Sequence, residues 1–413
     1  MTKPIFPGWF VVGAAFAVLF LAYGLQFSFG VFVTGMGQEL GWTRAETTLP
    51  YAIYVFNYGW LSVFTGRATD RFGPRIVVTV GAVLLGLGWG LSALVTTRWQ
   101  LSVTLGLVAA LGMSVTWVPC NATVARWFLR RRGIATSLAS TGTSVGNFVV
   151  PPIAAALAQN IGWRATLGII AVSCAALMTV AARTMWRDPE TLGLWPDGAT
   201  EPPHAMHLTG RTVREVFRTE PFLLVVASYF LTWLVVFVPF AHAAAFAEDL
   251  GMSKVAAASV ISAIGVGGIA GRLVSGHWAD RLGHFAALIG AFALQAVSFV
   301  MFAFAEGPAL LMPAAAIFGF SYGGGVTMLA PLCSDLFGRR NLASIVGAVF
   351  GITCAASAFG PYLAGWLFDV SGSYVSSFLI SALANVLALA AMAWLAWRTR
   401  HAVTAPLQVR EDP

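Results

Sequence analysis

Charged residues are scarce in this chain of 413 residues: 10% are Asp, Glu, Lys or Arg, while 58% are apolar. A soluble domain carries about 25% charged residues, so the composition excludes an ordinary water-soluble protein. The mean hydropathy is +0.78. Apolar stretches of about 20 residues, long enough to cross a bilayer as helices, recur from end to end. We therefore expect a protein that spans a membrane many times.

Cysteine is also rare, and the groups that enzymes need are missing. The four cysteines lie in apolar segments without ligand-like spacing, so we expect small packing residues: Cys120, Cys174, Cys333 and Cys354. His204 and His207 have no carboxylate or cysteine placed with them for metal binding. There is no Walker motif, and the three glycines at 323–325 follow no strand, which argues against a phosphate-binding loop. The sequence predicts no enzyme, no metal and no cofactor.

The apolar runs between charged or Gly/Pro breaks predict an all-α membrane protein of twelve spans. They cover residues 9–34, 47–66, 76–96, 99–125, 134–158, 164–184, 221–245, 255–278, 285–305, 308–332, 342–367 and 374–397. A polar, proline-containing segment divides six spans from six. We therefore expect two pseudo-symmetric six-helix bundles, 1–184 and 221–397, joined by a linker at 185–220 and followed by a tail at 398–413.

The basic residues are distributed unevenly between the two sides of these spans. Nineteen of the 24 Lys and Arg residues fall on the side of the N-terminus, four fall on the opposite side, and Arg272 lies inside a span. Basic loops stay in the cytoplasm, so the pattern predicts a multi-pass protein of the cytoplasmic (inner) membrane with both termini cytoplasmic. The net charge of +7 is then a topology signal with contacts to anionic lipids, and not a nucleic-acid surface.

One charged pattern occurs twice, 210 residues apart, each time between two apolar runs. The first copy contains Gly66, Asp70, Arg71, Gly73 and Arg75, and the second contains Gly276, Asp280, Arg281 and Gly283. Pro151 and Pro361 have the same separation. Duplication of this kind is typical of transporters, whose two like-oriented halves enclose a cavity and rock to expose it alternately.

These residues make essentially the whole chain similar to the major facilitator superfamily, whose loop motif between spans two and three matches Gly66 to Arg75. The resemblance implies that Asp70 and Arg71 latch a cytoplasmic gate by pairing with a neighbouring helix end, and that Asp280 and Arg281 belong to the second gate motif. A carboxylate at a helix N-terminus is stabilised in one conformation and released in the other. The alternative is a static turn that only fixes topology.

A narrower resemblance points to the monocarboxylate transporter family and the related oxalate/formate antiporters. It is carried by Gly8-Trp9, Phe29-Gly30-Val31-Phe32, Arg126-Trp127-Phe128, Arg131-Arg132-Gly133 and Gly271-Arg272. Two positions depart from that family. Phe27 stands where animal members carry a lysine in span one, and Gly268 stands where they carry an aspartate one turn before the span-eight arginine.

Arg272 is the sharpest single clue to the substrate. It lies in an apolar run from Val260 to Trp278, where a guanidinium costs several kcal/mol unless it faces water, a carbonyl or an anion. Its planar fork fits one carboxylate in a bidentate manner. In the resembled family the matching arginine contacts the substrate carboxylate. The alternative is that Arg272, only eight residues before Asp280, reaches the headgroups by snorkelling.

His242, in span seven, is the candidate proton site, because histidine titrates near neutral pH. The alternative is a neutral histidine bonded near the end of the span. The aromatic and amide residues Trp117, Tyr322, Gln26 and Asn121 are candidates for the cavity lining, and Trp117 and Tyr322 are the best pair because they come from opposite halves. Interhelical packing is the alternative for each of them. Phe27 and Phe359 are expected to form an apolar wall that limits substrate size.

The sequence thus predicts a secondary transporter that moves a small monocarboxylate such as lactate or pyruvate with a proton, by alternating access. Its partners are a small organic anion, a proton and membrane lipids, and not nucleic acid. Two alternatives stay open. One is a carboxylate exchanger or an exporter of larger apolar compounds, and the other is a non-transporting membrane receptor with the same fold.

Overall fold

The computed structural model describes residues 6–42, 44–199, 211–357 and 359–404. This part of the chain is almost entirely helical and contains no strand. The expectations for His204, His207, linker residues 200–210 and tail residues 405–413 lie outside it. The all-α membrane fold expected from the sequence is confirmed.

The helices, with their bounds, follow in chain order. They are α1 (Gly8–Phe27), α2 (Phe29–Leu40), α3 (Arg44–Phe72), α4 (Pro74–Ser92), α5 (Arg98–Val103), a π-helical turn (Thr104–Ala109), α6 (Ala110–Ser114), α7 (Trp117–Trp127), α8 (Arg132–Ala182), two 3-10 turns (Pro189–Leu192 and Pro196–Gly198), α9 (Val213–Val216), α10 (Glu220–Val236), α11 (Val238–Asp249), α12 (Lys254–Leu282), α13 (His284–Ala303), α14 (Pro308–Thr327), α15 (Leu329–Phe337), α16 (Leu342–Ser357), α17 (Phe359–Ser371) and α18 (Val375–Thr404).

Ten stretches of the described residues are long and apolar enough to span a membrane. One of them, α8, has 51 residues and joins two spans at Gly162, whose φ of 78° and ψ of 162° are not helical. The helix α3 is not among the ten, because its tyrosines, Asn57 and Trp60 lower its hydropathy. With α3 added and α8 divided, the helices correspond to the twelve predicted spans.

Several spans consist of two helices that meet at a break near the middle of the membrane. α1 and α2 meet at Ser28, and α10 and α11 meet at Phe237 in the corresponding span of the second half. α7 follows a break at Thr116, and α15 follows one at Met328. The breaks recur at equivalent places in the two halves, which agrees with a duplicated chain.

We name the two sides of the bundle by the chain ends. The terminal face is the side where α1 begins, α3, α7, α12 and α15 end, and α8 and α16 begin; the opposite face is the other side. Between the halves, α3 packs along α16 and α8 packs along α12. Further contacts between the halves join α7 to α15 and α16, whereas α2, α11 and α17, near the opposite face, pack mainly within their own halves. The passage between the halves is therefore closed at the terminal face.

Candidate functional site

Asp70, at the end of α3, holds the first turn of α16 in the other half. Its carboxylate accepts backbone N–H bonds from Ser344 at 2.7 Å and Ala343 at 3.3 Å, and it forms an ion pair with Arg126. Both charged side chains are buried. The first N–H groups of a helix have no partner inside the helix and carry partial positive charge, so a carboxylate there is strongly favoured.

Asp280, at the end of α12 in the second half, holds the first turn of α8 in the first half in the same way. It accepts backbone N–H bonds from Gly133 at 2.6 Å and Ile134 at 3.0 Å, in the first turn of α8. Each half thus uses the aspartate of its motif to hold a helix start of the other half, and we call these two contacts the aspartate clamps. Close by, Arg132 also pairs across the halves with Asp335.

The glycines of the repeated motif have two distinct roles. A side chain at Gly66 would collide with the carbonyl of Ala343, and one at Gly276 would lie 2.5 Å from Ser137 Oγ. These glycines let helices of opposite halves approach closely, as small residues do in membranes. Gly73 and Gly283 have φ of 83° and 89°, which only glycine adopts readily, and both turns reverse the chain into the next span.

The arginines of the motif lie outside the clamps, which corrects the expectation for Arg71. Arg71, Arg75 and Arg281 are exposed, and the Arg71 guanidinium lies 5.1 Å from the ring centre of its neighbour Phe72. The cation that pairs with Asp70 is Arg126 at the end of α7, which also donates through Nε to the Arg339 carbonyl at 3.0 Å. The buried end of α7 thus supplies the cation of the clamp, whereas the Arg71 side chain is exposed and forms no ion pair with a described residue.

The linker also binds the terminal face, which the sequence did not reveal. Asp197 accepts N–H bonds from Leu129 and Arg130, both at 2.8 Å, with a φ of 57° that is unusual for a residue other than glycine. Glu190 pairs with Arg339 of the second half at 3.2 Å. The Pro196-Asp197-Gly198 sequence is a turn signal and was the available clue to this contact.

An aromatic layer lies above the clamps, toward the centre of the membrane. Trp117 stacks on Phe350 of the other half with ring centres 4.8 Å apart, and Trp233 packs edge-on against the same ring at 5.7 Å. We call this layer the aromatic floor. Trp117 and Tyr322 do not touch each other, but ring contacts connect them. Trp233 packs on Phe237 at 6.1 Å, Phe237 on Phe240 at 5.8 Å, and Phe240 on Tyr322 at 5.5 Å.

Arg272 lies between the halves, near the middle of the membrane. Its Nη1 donates to Ser144 Oγ of the first half at 2.6 Å and to the Gly268 carbonyl at 3.2 Å, and only 5% of the residue is exposed. Helical side chains point toward the helix N-terminus, which directs this guanidinium away from the terminal face. The snorkelling alternative does not hold in this structure, because the group ends on protein atoms deep inside the bundle.

Two tyrosines complete the surroundings of the guanidinium. Its Cζ lies 5.6 Å from the ring centre of Tyr322, and the hydroxyl of Tyr23 lies within electrostatic range. Nε of Arg272 is buried without a hydrogen-bond partner among the described residues. The guanidinium also forms no ion pair with any described carboxylate. The site therefore holds a fixed positive charge with one unused donor.

Of the two amides expected in the cavity lining, Asn121 serves packing between helices and Gln26 keeps a buried oxygen without a described partner. Asn121 is buried and ties α7 to α8, because its Oδ1 accepts from the Ser140 hydroxyl at 2.7 Å, while its Nδ2 donates within α7 to the Trp117 carbonyl at 3.0 Å. This is the interhelical role that the sequence left open. Gln26 is buried beside Tyr51, and its Oε1 has no partner among the described residues.

The two phenylalanines expected to form an apolar wall are both exposed. Phe27 is 43% exposed and lies one turn from Tyr23, with ring centres 6.2 Å apart, so it faces the same side of α1 as the Arg272 site. Phe359 is 60% exposed, and the described residues show no ring contact between it and Phe27. A wall that joins the two is not formed in this conformation.

His242 does not lie beside Arg272, contrary to the idea of a protonatable neighbour. Nε2 is 2.9 Å from the Pro361 carbonyl and Nδ1 is 3.2 Å from the Tyr374 hydroxyl, which links α11 to α17 and to the start of α18. Measured along the helices from the opposite face, His242 is about 10 Å deep and Arg272 about 27 Å deep. Their separation in depth is thus about 17 Å.

A separate cavity lies away from this site. It has a volume of about 680 Å³, lies between α12 and α14, and is lined by apolar and hydroxyl side chains such as Val266, Met312 and Phe320. Val266 is 70% exposed on the outer surface of the bundle. A groove without charge on the lipid-facing side is unsuited to a carboxylate, so the Arg272 region stays the candidate site.

Comparisons with known proteins agree with this architecture. Residues 15–361 and 296–413 match the family model of the Major Facilitator Superfamily. Monocarboxylate transporter 13 of Rattus norvegicus is 29% identical over 376 residues, which cover 91% of this chain and 85% of the relative. Monocarboxylate transporter 11 of Homo sapiens is 29% identical over 386 residues, which cover 91% and 80%.

Solved structures share the fold at low sequence identity. The E. coli fucose:proton symporter superposes with a TM-score of 0.72 at 15% identity and covers 92% of this chain and 98% of that one. The human organic anion transporter MFSD10 superposes with a TM-score of 0.70 at 15% identity and covers 94% and 100%.

Proposed function

Since the chain belongs to the major facilitator superfamily and is a membrane transporter, we propose that it carries a small monocarboxylate and that Arg272 binds the carboxylate. The observation that carries the proposal is the buried guanidinium between the two halves. Its hydrogen-bond partners among the described residues are neutral groups: the Ser144 hydroxyl, the Gly268 carbonyl and the Tyr322 side chain. A charge in the membrane without a counter-ion costs about 3 kcal/mol or more, and a bound carboxylate would offset that cost.

The surroundings of Arg272 support a substrate with one carboxylate and a small body. A single fixed charge suits a single anionic group, and the guanidinium fork can bind both of its oxygens. The hydroxyls of Tyr23 and Tyr322 are available as further donors, and the aromatic floor below limits the length of the substrate. The names of the relatives, monocarboxylate transporters 13 and 11, point to the same substrate class.

Alternating access follows from the way in which the halves are held together. We treat the bundles at 1–184 and 221–397 as the moving units and the segment at 185–220 as their linker. The substrate enters from the opposite face and replaces Ser144 on the guanidinium. Loss of that contact between the halves, together with release of the aspartate clamps, then allows the terminal face to open.

Proton coupling through His242 would act on the outer helices and not on the bound anion. In the structure its ring links α11 to α17 and α18. A proton on Nδ1 turns this atom from an acceptor into a donor, which changes the bond with the Tyr374 hydroxyl. We propose that protonation of His242 adjusts closure at the opposite face, and that symport is the outcome.

The orientation of the protein is part of the proposal. We propose that the protein lies in the cytoplasmic membrane. The terminal face carries most of the basic residues and therefore faces the cytoplasm. Labelling of single cysteines at Arg75 and at Asp249 with an impermeant reagent in intact cells tests this. Reaction at position 75 in cells that have not been permeabilised would show that the terminal face lies outside, contrary to the proposal.

Transport by purified protein in proteoliposomes tests the function. We expect uptake of labelled lactate or pyruvate under an imposed pH gradient without internal anion, and its loss in Arg272→Gln. Arg218→Gln, at an exposed arginine on the terminal face, is the matched control and should transport normally.

The same assay separates the alternatives. Flux that needs substrate on both sides would indicate an exchanger, and flux of larger apolar compounds alone would indicate an exporter. Substrate binding without any flux would indicate a receptor. His242→Gln should keep exchange between equal concentrations of lactate and lose the response to the pH gradient.

A further inference from the structure

A second polar pocket lies on the terminal face, away from the transport site. It has a volume of about 300 Å³ and is formed by three parts of the chain: the end of α3, the segment around α9 and the start of α16. Its lining comprises Arg67, Asp70, Arg71, Thr212, Val213, Arg214, Asn341 and Ser344. We call it the arginine pocket. It exists only where the two halves and the linker meet.

The charges in this pocket are not balanced. Arg67, Arg71 and Arg214 are exposed, and none of them forms an ion pair with a described residue. The two nearby carboxylates have other partners. Asp70 is engaged by Arg126 and the start of α16, and Glu215 accepts the backbone N–H of Thr212 at 2.9 Å.

The excess positive charge opposes closure unless something neutralises it. Arg67 and Arg71 lie one turn apart on α3 of the first half, and Arg214 approaches them from the segment that precedes the second half. Like charges at this spacing repel each other. An anion in the pocket would convert the repulsion into three attractive contacts that join the two halves.

We propose that the arginine pocket binds a phosphate group and that the bound phosphate holds the terminal face closed. Guanidinium groups bind phosphate through paired hydrogen bonds, and several around one anion favour it over a single carboxylate. The chemistry fits a lipid headgroup or free phosphate. Phe72, which follows Arg71 in the chain, is 55% exposed, so an apolar surface suited to lipid adjoins the pocket.

Bound phosphate would favour the closed terminal face, because the three arginines that hold it lie on parts of the chain that separate on opening. When the terminal face opens, α3 moves away from α16 and the linker, and the three arginines separate. A phosphate that needs all three therefore binds the closed form and shifts the population toward it. This regulation does not depend on which substrate is carried.

The test measures the distance across the terminal face without substrate. Spin labels at Arg183→Cys and Leu282→Cys report on the two halves, and the four native cysteines are buried and should stay unlabelled. The protein is placed in nanodiscs of phosphatidylcholine alone, the same with inorganic phosphate, and phosphatidylcholine mixed with phosphatidylglycerol. We expect the ratio of closed to open protein to rise at least about fivefold in one or both of the last two.

A response to inorganic phosphate identifies free phosphate as a ligand, and a response confined to phosphatidylglycerol identifies a headgroup. The triple variant Arg67→Gln, Arg71→Gln, Arg214→Gln should lose the response. A control triple variant at Arg130, Arg218 and Arg340, exposed arginines of the same face outside the pocket, should keep it. No response in either condition, or an equal response in both triple variants, would overturn the proposal and leave the assignment of Arg272 untouched.

Discussion

Replacement of Asp70 by Asn should open the terminal face far more than the same change at Asp280. The Asp70 carboxylate accepts three bonds from the start of α16: the N–H groups of Ala343 and Ser344 and the Ser344 hydroxyl. In the Asn variant these bonds lose their charge, and the buried Arg126 keeps Asp188 at 3.8 Å as its one ion-pair partner among the described residues. Bonds to a charged group contribute about 1.5–3 kcal/mol, and an uncompensated buried charge costs more. We expect a shift of about 2–3 kcal/mol, or about 30- to 150-fold in the ratio of closed to open protein.

Asp280 is only half buried, and its described contacts are the backbone N–H groups of Gly133 and Ile134. Its replacement by Asn leaves no buried arginine behind, so the expected shift is about 1 kcal/mol, or about fivefold. Asp249→Asn, at an exposed carboxylate on the opposite face, is the control and should have no effect.

The assay is the distance between spin labels at Arg183→Cys and Leu282→Cys in each background. Equal shifts for Asp70→Asn and Asp280→Asn would mean that Arg126 contributes nothing to the clamp. If neither variant changed the distance distribution, the clamps would be static turns that only fix topology, which is the alternative left open by the sequence.

Three further predictions concern the same architecture. Gly66→Val should hold the terminal face open, because its side chain would collide with the Ala343 carbonyl; overpacking of this kind costs about 1–3 kcal/mol, and the spin-label distance measures it. Asp197→Ala should release the linker from the bundle, with faster cleavage by trypsin after Arg211 as the readout. Hydrogen bonds from Arg164 and Trp163 lower the pKa of Glu39, so these contacts should persist from neutral pH to about pH 4.5 and be lost below it, as tryptophan fluorescence would show.

Each of these has a control and an outcome that would contradict it. Gly13→Val, at a glycine with open space around it, should leave the spin-label distance unchanged. Unaltered trypsin cleavage in Asp197→Ala would mean that the linker is held elsewhere. The direction of the pH effect follows from the lowered pKa of Glu39. The carboxyl group holds its proton less tightly in the folded protein than in the unfolded chain. The stability that this contact contributes therefore falls as the solution becomes more acidic. A change that begins above neutral pH, or one that persists in Glu39→Gln, would contradict the assignment.

Much of the fold could be predicted because membranes impose strong rules on sequence. Apolar runs, breaks and the 210-residue repeat gave the twelve spans, and the repeat also marked Gly66 and Gly276, where helices of opposite halves touch. The pairing of Asp70 with a helix start followed from the family resemblance and from the chemistry of helix ends.

The contacts across the halves could not be read from the sequence. Ser344 lies 274 residues from Asp70, and Ser144 lies 128 residues from Arg272. Nothing local indicates that these pairs meet, because each depends on how two bundles dock. His242 and Arg272 both belong to the second half, but they lie on α11 and α12 at different depths, which the sequence does not show.

The most direct test of the account is equilibrium binding of labelled pyruvate to the purified protein and its Arg272→Lys variant. Lysine keeps the charge and loses the fork, so one charge-assisted bond to the carboxylate is missing and the dissociation constant should rise about tenfold or more. Arg218→Lys should bind as the unchanged protein does. Equal affinity in Arg272→Lys and the unchanged protein would contradict the claim that this guanidinium holds the substrate.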